Sequence, residues 1–417
     1  MLIQFRFQNY KSFRDDTILD LSATKITEHS DHIISSANER LLPVAAIFGA
    51  NASGKSNLIE ALRFMADYVM DSFLYGGDSG KEKGSQPQCA PFLFGSAWED
   101  SESSFEVYFT TDEAHGGKIY NYGFTLFHQL ICEEWLNVKA KTSRNYRKIF
   151  YRNSEGLALE GISPKQQEII RLSLEKEVLV VSLGAKLKVD ILKIVRDWFY
   201  ALRFADFGDP KENEFLSSRA PNGFFKNRTI QRKVVSYLSA FDPSIIDFHV
   251  EMLQKGDQGE FARIDAMHRT TDGRIISIPL QHESSGTLKM FALYPFLQDT
   301  LEEGSVLFID ELNARLHPLL VRNFLLTFLN PELNPKHAQI IFTTHDAWQL
   351  SNNLLRRDEI WFTEKEDNGV SSLYSLADFE DEDGAKIRKD ENYEKNYLLG
   401  KYGAIPTLHH LNVLGGD

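Results

Sequence analysis

Three rhythms of apolar residues run along this 417-residue chain, and each predicts a different kind of element. The first is alternation. Leu2 to Phe7 reads Leu-Ile-Gln-Phe-Arg-Phe, and a second short run, Thr17 to Leu21, follows the polar turn around Arg14-Asp15-Asp16. Together they predict an opening β-hairpin that packs beside the strand at Val44. Strand pattern resumes at Ser104 to Thr110, Ile119 to Phe127 and Glu134-Trp135-Leu136, and again at Ile245 to Leu253, Arg263 to Met267 and Arg274 to Leu280. The second rhythm is the unbroken apolar run of strand length, at Val44 to Phe48, Ser305 to Ile309 and Gln339 to Thr344, which predicts buried strands. The third is helical spacing. Leu58, Ile59, Ala61, Leu62 and Met65 share one face, and Met290 to Leu301 forms an apolar helix.

The character of the chain changes at Ser163-Pro164-Lys165-Gln166, with an N-cap serine, a proline at the first helical position and a glutamine three residues after the cap. Helical pattern then dominates to about Phe204, broken near Gly184. A loop covers Arg219 to Asn227 and a second helix Ile230 to Phe241. The expected organisation is an α/β unit split between residues 1–162 and 243–417, with residues 163–242 as a mainly helical insertion. Gly76 to Gln88, rich in Gly, Ser, Lys and Asp, reads as a mobile loop.

Composition narrows the class. An apolar fraction of 42% with 12% aromatics is that of a folded globular protein, and no apolar run reaches membrane-spanning length. The start, MLIQFRF, lacks the pattern of a secretory signal, and two cysteines, Cys89 and Cys132, are too few for a disulfide framework or a zinc site. The expected location is therefore the cytoplasm. A formal net charge of −13 opposes general nucleic-acid binding, so any such contact must be local. The candidate is Val138 to Arg152, where Lys139, Lys141, Arg144, Arg147, Lys148 and Arg152 interleave with Tyr146, Phe150 and Tyr151; a solvated hairpin with basic flanks accounts for the same pattern.

The chemistry is concentrated at four places. Gly49-x-x-x-x-Gly54-Lys55-Ser56 lies between a predicted strand and a predicted helix, which is the context a phosphate-binding loop needs. Gly49, Ala50, Asn51, Ala52, Ser53 and Gly54 would wrap the phosphates with backbone N–H groups, and the helix that opens at about Lys55, continuing through Ser56 and Asn57, adds its positive end. Lys55 would reach the β- and γ-phosphates and Ser56 would ligate Mg²⁺. Asp310 and Glu311 end an apolar strand, where P-loop proteins hold Mg²⁺ with an aspartate, and Glu311 is a candidate base for the attacking water. His345 follows the run Gln339 to Thr344 and can hydrogen-bond a γ-phosphate or the water beside it. Ser284 and Gly286, at the start of the apolar helix, make a second anion-binding N-terminus. Two such termini serve one nucleotide only if two copies face each other.

In this order the segments resemble the ATP-binding-cassette ATPases of the RecF and SMC head-domain type. Gly49 to Ser56 stands as Walker A, Glu283 to Thr287 as a degenerate signature that keeps Ser284 and Gly286, Asp310-Glu311 as the end of Walker B, and His345 as the switch histidine. Asn313 replaces the aspartate usual after Walker B, and the motifs do not place the glutamine of the usual Q-loop. The opening FRFQNYKSFRDD, GANASGKSNL, DELNARLHPLL, THDAWQL and the tail from Arg388 to Pro406 resemble the bacterial AAA_15/AAA_21-type ATPases of anti-phage and abortive-infection operons. That resemblance implies ATP and Mg²⁺ as ligands, a homodimer or higher homo-oligomer joined through ATP-sandwiched heads, and a separate effector such as a Toprim or HNH nuclease or another toxin. The 226 residues between Ser56 and Glu283 cannot hold a long SMC-type coiled coil, and a fused Toprim nuclease has no room at the C-terminus. The acidic run Asp378 to Asp383 reads as a solvated loop and His409-His410 as structural. Alternatives in other classes are a RecF-like DNA-repair ATPase and an ATP-held scaffold that turns over little.

Overall fold

The computed structural model describes residues 1–75, 87–95, 98, 100–111, 117–209, 211–212, 220–254, 260–380, 384 and 386–406. His409-His410, most of the Gly76 to Gln88 loop and the end of the Asp378 to Asp383 run lie outside the described residues.

The central sheet has six strands in the order Arg203–Asp206, Val306–Asp310, Gln339–Thr344, Val44–Gly49, Ile360–Lys365 and Ser371–Ser375. The first five are mutually parallel and the last is antiparallel. The apolar sequences of the three central strands, Val306–Asp310, Gln339–Thr344 and Val44–Gly49, follow from burial on both faces. Ala45, Ile47, Val306, Phe308 and Ile341 enter one core cluster, whereas Val44, Ala46, Phe48, Leu307, Ile309, Ile340 and Phe342 enter another.

The first cluster lies between this sheet and a seven-stranded antiparallel sheet ordered Gly156–Leu159, Arg147–Asn153, Leu130–Lys139, Ile119–Phe127, Ser103–Thr110, Leu2–Gln8 and Thr17–Asp20. The helix Lys55–Asp71 contributes Leu58, Ala61, Leu62 and Met65 to that layer. The opening hairpin is present, and it packs on the Val44–Gly49 strand face to face from the neighbouring sheet. The second cluster is covered by the helices Ser285–Glu303 and Pro318–Leu329, with Arg228–Leu238 and the three-stranded sheet Ile245–Gln254, Glu260–Arg269 and Ile275–Pro279 beyond.

Residues 163–242 carry the helices Pro164–Ser173, Val180–Lys186, Asp190–Tyr200 and Arg228–Leu238. Ser163 caps the first of them, its side chain accepting from the Gln166 N–H with Pro164 in the first turn. Two expectations are refined here. Gly184 itself lies inside the Val180–Lys186 helix, and the break near it comes just after, before Asp190; a Cβ there would come within 2.0 Å of Leu192 Cδ1, so it is a close-packing glycine between consecutive helices. Phe204 belongs to Arg203–Asp206, a strand that joins the central sheet beside Val306–Asp310, so this segment returns to the sheet midway. Glu134 anchors the segment from the other side. Its fully buried carboxylate accepts from the Val180 and Val181 N–H groups at 2.7 and 3.2 Å and from Tyr122 Oη at 3.0 Å, at the start of the Val180–Lys186 helix.

Candidate nucleotide site

Parallel strands that start level end level, so Gly49, Asp310 and Thr344 emerge on one edge of the central sheet. That edge is where open α/β sheets place their ligand crevices. The loop after Val44–Gly49 is held by contacts that tolerate little change. Gly54 has φ 112°, a conformation L side chains rarely adopt, and a Cβ there would lie 2.7 Å from Ser371 Oγ. A Cβ on Gly49 would lie 2.4 Å from the Thr363 carbonyl oxygen. The buried Ser53 hydroxyl is 2.6 Å from Thr363 Oγ1, which fixes the loop to the adjoining strand. Ala52 takes a left-handed φ of 62°, and Asn51 is exposed.

Lys55 is only 6% exposed and lies across the mouth of its own loop, donating to the carbonyls of Gly49 at 2.9 Å and Ala50 at 2.7 Å. Burial pushes its ammonium down to about 8, against the pull of Asp310 and Glu311. A buried cation short of compensating charge is a fit site for a polyanion. Ser56 is exposed and lines one small cavity with the buried Asp310, so a hydroxyl and a carboxylate oxygen are both offered to a hard cation. That donor set fits Mg²⁺. Asn57 turns the other way and donates to Ser12 Oγ at 2.7 Å, tying the helix to the opening hairpin.

Between the loop strand and the acidic strand runs Gln339–Thr344, and its Thr343 organises the carboxylates. The buried Thr343 hydroxyl donates to Asp310 Oδ1 and accepts from the Glu311 N–H at 2.9 Å. Glu311 is thereby held at φ 53°, in the left-handed region that a non-glycine residue enters only when its surroundings impose it. Its Oε1 stands 3.7 Å from His345 Nε2. Burial, then the nearby Lys55 ammonium, hold the His345 imidazole below its ordinary value, against the Glu311 carboxylate. Asn313 Oδ1 accepts from Thr344 Oγ1 at 2.9 Å and the His345 N–H at 3.3 Å, so the residue standing in for the usual aspartate fixes the histidine's backbone. A cavity of about 850 Å³ opens over this edge, with Gly49 to Ser53 and His345 on one side and Glu364 to Glu366, Tyr397 and Ala404 to Pro406 on the other.

The fold thus brings Gly49 to Ser56, Asp310, Glu311 and His345 together. Ser284 and Gly286 sit apart from that loop. Ser284 caps the Ser285–Glu303 helix, accepting from the Thr287 N–H at 3.1 Å, and a Cβ on Gly286 would come within 3.2 Å of the Arg315 carbonyl oxygen. Gly286 thus packs against the segment after Glu311, while Ser284 bonds within its own helix cap. The basic stretch Val138 to Arg152 forms a hairpin with Lys141, Arg144, Arg147 and Lys148 exposed, while Lys139 pairs with Glu39 and Arg152 donates to the Val178 carbonyl.

A family model described as "AAA domain, putative AbiEii toxin, Type IV TA system" (AAA_21) matches residues 44–347, well over half of the chain. The chain belongs to the AAA_21 family. The match starts at the loop strand and ends just after His345, so it takes in Gly49 to Ser56, Asp310, Glu311 and His345. AAA_21 membership implies nucleotide binding and supports ATPase activity. No curated protein matches this sequence. A solved structure described as "Crystal structure of the SmcHead bound to the C-winged helix domain of ScpA" aligns with 90% of this chain and 97% of that chain, at 14% identity and a TM-score of 0.41; that likeness is too loose to carry a conclusion. Among the described residues no helix of this AAA_21 chain is long and apolar enough to cross a membrane.

Two residues at this edge escape a reading by motif: Thr343 and Lys289. Lys289 is 2% exposed on the Ser285–Glu303 helix, and burial pushes it down to about 7, opposed by Glu311 and helped by Arg315. The sequence does hold a trace of it, a lysine set within the apolar run Leu288-Lys289-Met290-Phe291.

Proposed function

We propose that this chain hydrolyses ATP between two facing copies, and that its nucleotide state governs a separate effector in anti-phage defence. The observation that supports hydrolysis best is the single hydroxyl of Thr343, which binds the carboxylate of Asp310 and the backbone of Glu311 beside Lys55. Such an arrangement separates two adjacent acids into two roles. Asp310, with one oxygen engaged by Thr343, and Ser56 would hold Mg²⁺, which supplies positive charge to the β- and γ-phosphate oxygens when bound. Lys55 exchanges the carbonyls of Gly49 and Ala50 for phosphate oxygens. Glu311, half-exposed at the crevice, orients water and accepts its proton, and neutral His345 donates a hydrogen bond toward the γ-phosphate.

Ser284 and Gly286 stand at the N-terminus of the Ser285–Glu303 helix rather than among the groups bonded to the loop of their own copy, and in this reading they serve the loop of a second copy. The role in defence rests on the resemblance of the whole sequence to abortive-infection ATPases and on the toxin–antitoxin description of the family. The exposed basic hairpin at Lys141 to Lys148 is the place where a nucleic acid would touch the molecule.

The test is Glu311→Gln, which keeps shape but cannot accept the proton. Turnover should fall about 10²- to 10⁴-fold while ATP binding persists. Asp310→Ala should instead weaken Mg²⁺-ATP binding itself. If Glu311→Gln protects host cells from phage, bound ATP is the active state and the chain is a scaffold; if protection is lost with turnover, hydrolysis is the switch. Normal hydrolysis by Glu311→Gln would overturn the assignment of the base.

A further inference from the structure

Lys289 lies 22 residues before Glu311 in sequence and beneath it in space. Its Nζ donates to three backbone carbonyls of the segment that follows the acidic strand: Glu311 at 2.9 Å, Leu312 at 2.8 Å and Ala314 at 2.9 Å. The Phe207 ring closes the fourth side, 4.2 Å from Nζ. An ammonium has three N–H donors, and all three are used here, so none is left for a phosphate or a water in the crevice. Lys289 is therefore not a nucleotide contact.

The three carbonyls belong to a segment bent twice into the left-handed region, at Glu311 with φ 53° and at Arg315 with φ 61°. Neither bend is glycine, so each costs energy that the surroundings must offset. The Glu311 N–H is held by Thr343 and the Glu311 carbonyl by Lys289, so its peptide groups are pinned from both sides. The same lysine is one turn along the helix that Ser284 caps. We infer that Lys289 is a positioning residue for hydrolysis, which holds Glu311 in its working conformation within the same copy while Ser284 of that copy serves the other. This deepens the two-copy reading proposed above and rests on it.

The experiment sorts residues by complementation. Ser284→Arg, Glu311→Gln and Lys289→Met chains are each assayed alone and mixed in pairs, with turnover and ATP affinity measured separately. Alone, Lys289→Met should lower kcat about 10- to 100-fold, the loss expected of a misplaced catalytic group, with ATP affinity within twofold of wild type. Mixed with Ser284→Arg it should regain activity, because it still offers a sound Ser284 to the partner's intact Glu311. Mixed with Glu311→Gln it should regain none, because both defects fall on the base. Lys289→Arg keeps the cation but cannot converge three donors on one point, so it should fold even if Lys289→Met does not, and should show the same complementation with a smaller loss. Complementation of Glu311→Gln, or failure to complement Ser284→Arg by the folded variant, would overturn the inference. If Glu311→Gln and Ser284→Arg fail to complement each other, the two-copy reading itself is wrong.

Discussion

Thr343→Val is the most informative single change in this molecule, because valine has the same shape as threonine and removes only the hydroxyl. Two hydrogen bonds go with it. The bond to the Asp310 carboxylate is charge-assisted, and such bonds contribute about 1.5–3 kcal/mol; the Glu311 N–H loses its acceptor, at a cost of about 1–3 kcal/mol for a buried group. Glu311 can recover about 1–2 kcal/mol by leaving the left-handed region. The net loss of stability should be about 2–4 kcal/mol, read from urea denaturation of the nucleotide-free protein. The kinetic effect should be larger than the stability effect suggests. With Glu311 as the proposed base, relaxing it displaces the carboxylate, and a displacement of about 1 Å costs about 100-fold in rate. ATP affinity should change little, since Lys55 and the loop contacts of Ser53 and Gly54 do not involve Thr343. Thr343→Ser, which restores the hydroxyl, should recover most of the rate. If Thr343→Val turns over ATP at the wild-type rate, the hydroxyl does not position the base and the geometric argument for Glu311 collapses.

Two further outcomes concern the scaffold. Burial pushes the Glu134 carboxyl up to about 7, against Arg152 and the N–H groups of Val180 and Val181, so the folded chain retains a proton that the unfolded chain releases near its ordinary value. The resulting stabilisation is fully present below about pH 4.5 and is lost as pH rises through about 7; Glu134→Gln should remove this dependence, about 3 kcal/mol between pH 5 and 8 by difference in urea titrations. Arg356 is fully buried, bonded to both Asp358 oxygens at 2.8 Å and to the Glu28 carbonyl at 2.6 Å. Arg356→Met should cost about 3–5 kcal/mol in the same assay, because Asp358 is left as a buried charge without its cation, with the Thr24 N–H and hydroxyl still donating to it.

What could be read from the chain alone divides by the range of the interactions involved. The strand–loop–helix at Val44 to Asp71 was legible because everything that makes it is local: Gly54 must adopt a positive φ, Lys55 and Ser56 begin the helix, and the strand before them is apolar throughout because it is buried on both faces. The cap at Ser163-Pro164 was legible for the same reason. Gly184 marked the helix break only approximately, since a glycine that interrupts a pattern and a glycine that admits a neighbour's side chain look alike until Leu192 is in view. The strand Arg203–Asp206 was missed because its four residues, Arg-Phe-Ala-Asp, carry almost no periodic signal, and its partner Leu307–Asp310 lies about a hundred residues away.

At the site the division is sharper. The groups proposed to meet ligand carry chemistry in their own side chains, so Asp310, Glu311 and His345 announce themselves at strand ends. Groups that hold those residues in place do so through backbone carbonyls and N–H groups, which every residue has. Thr343 in a strand and Lys289 in a helix are ordinary residues until the sheet places one hydroxyl between two carboxylate-bearing neighbours and one ammonium under three carbonyls. Strain at Glu311 is the physical sign that such supports must exist. A non-glycine residue at φ 53° needs partners on both sides of its peptide, and the search for those partners leads from the acidic strand to Thr343 on one side and Lys289 on the other.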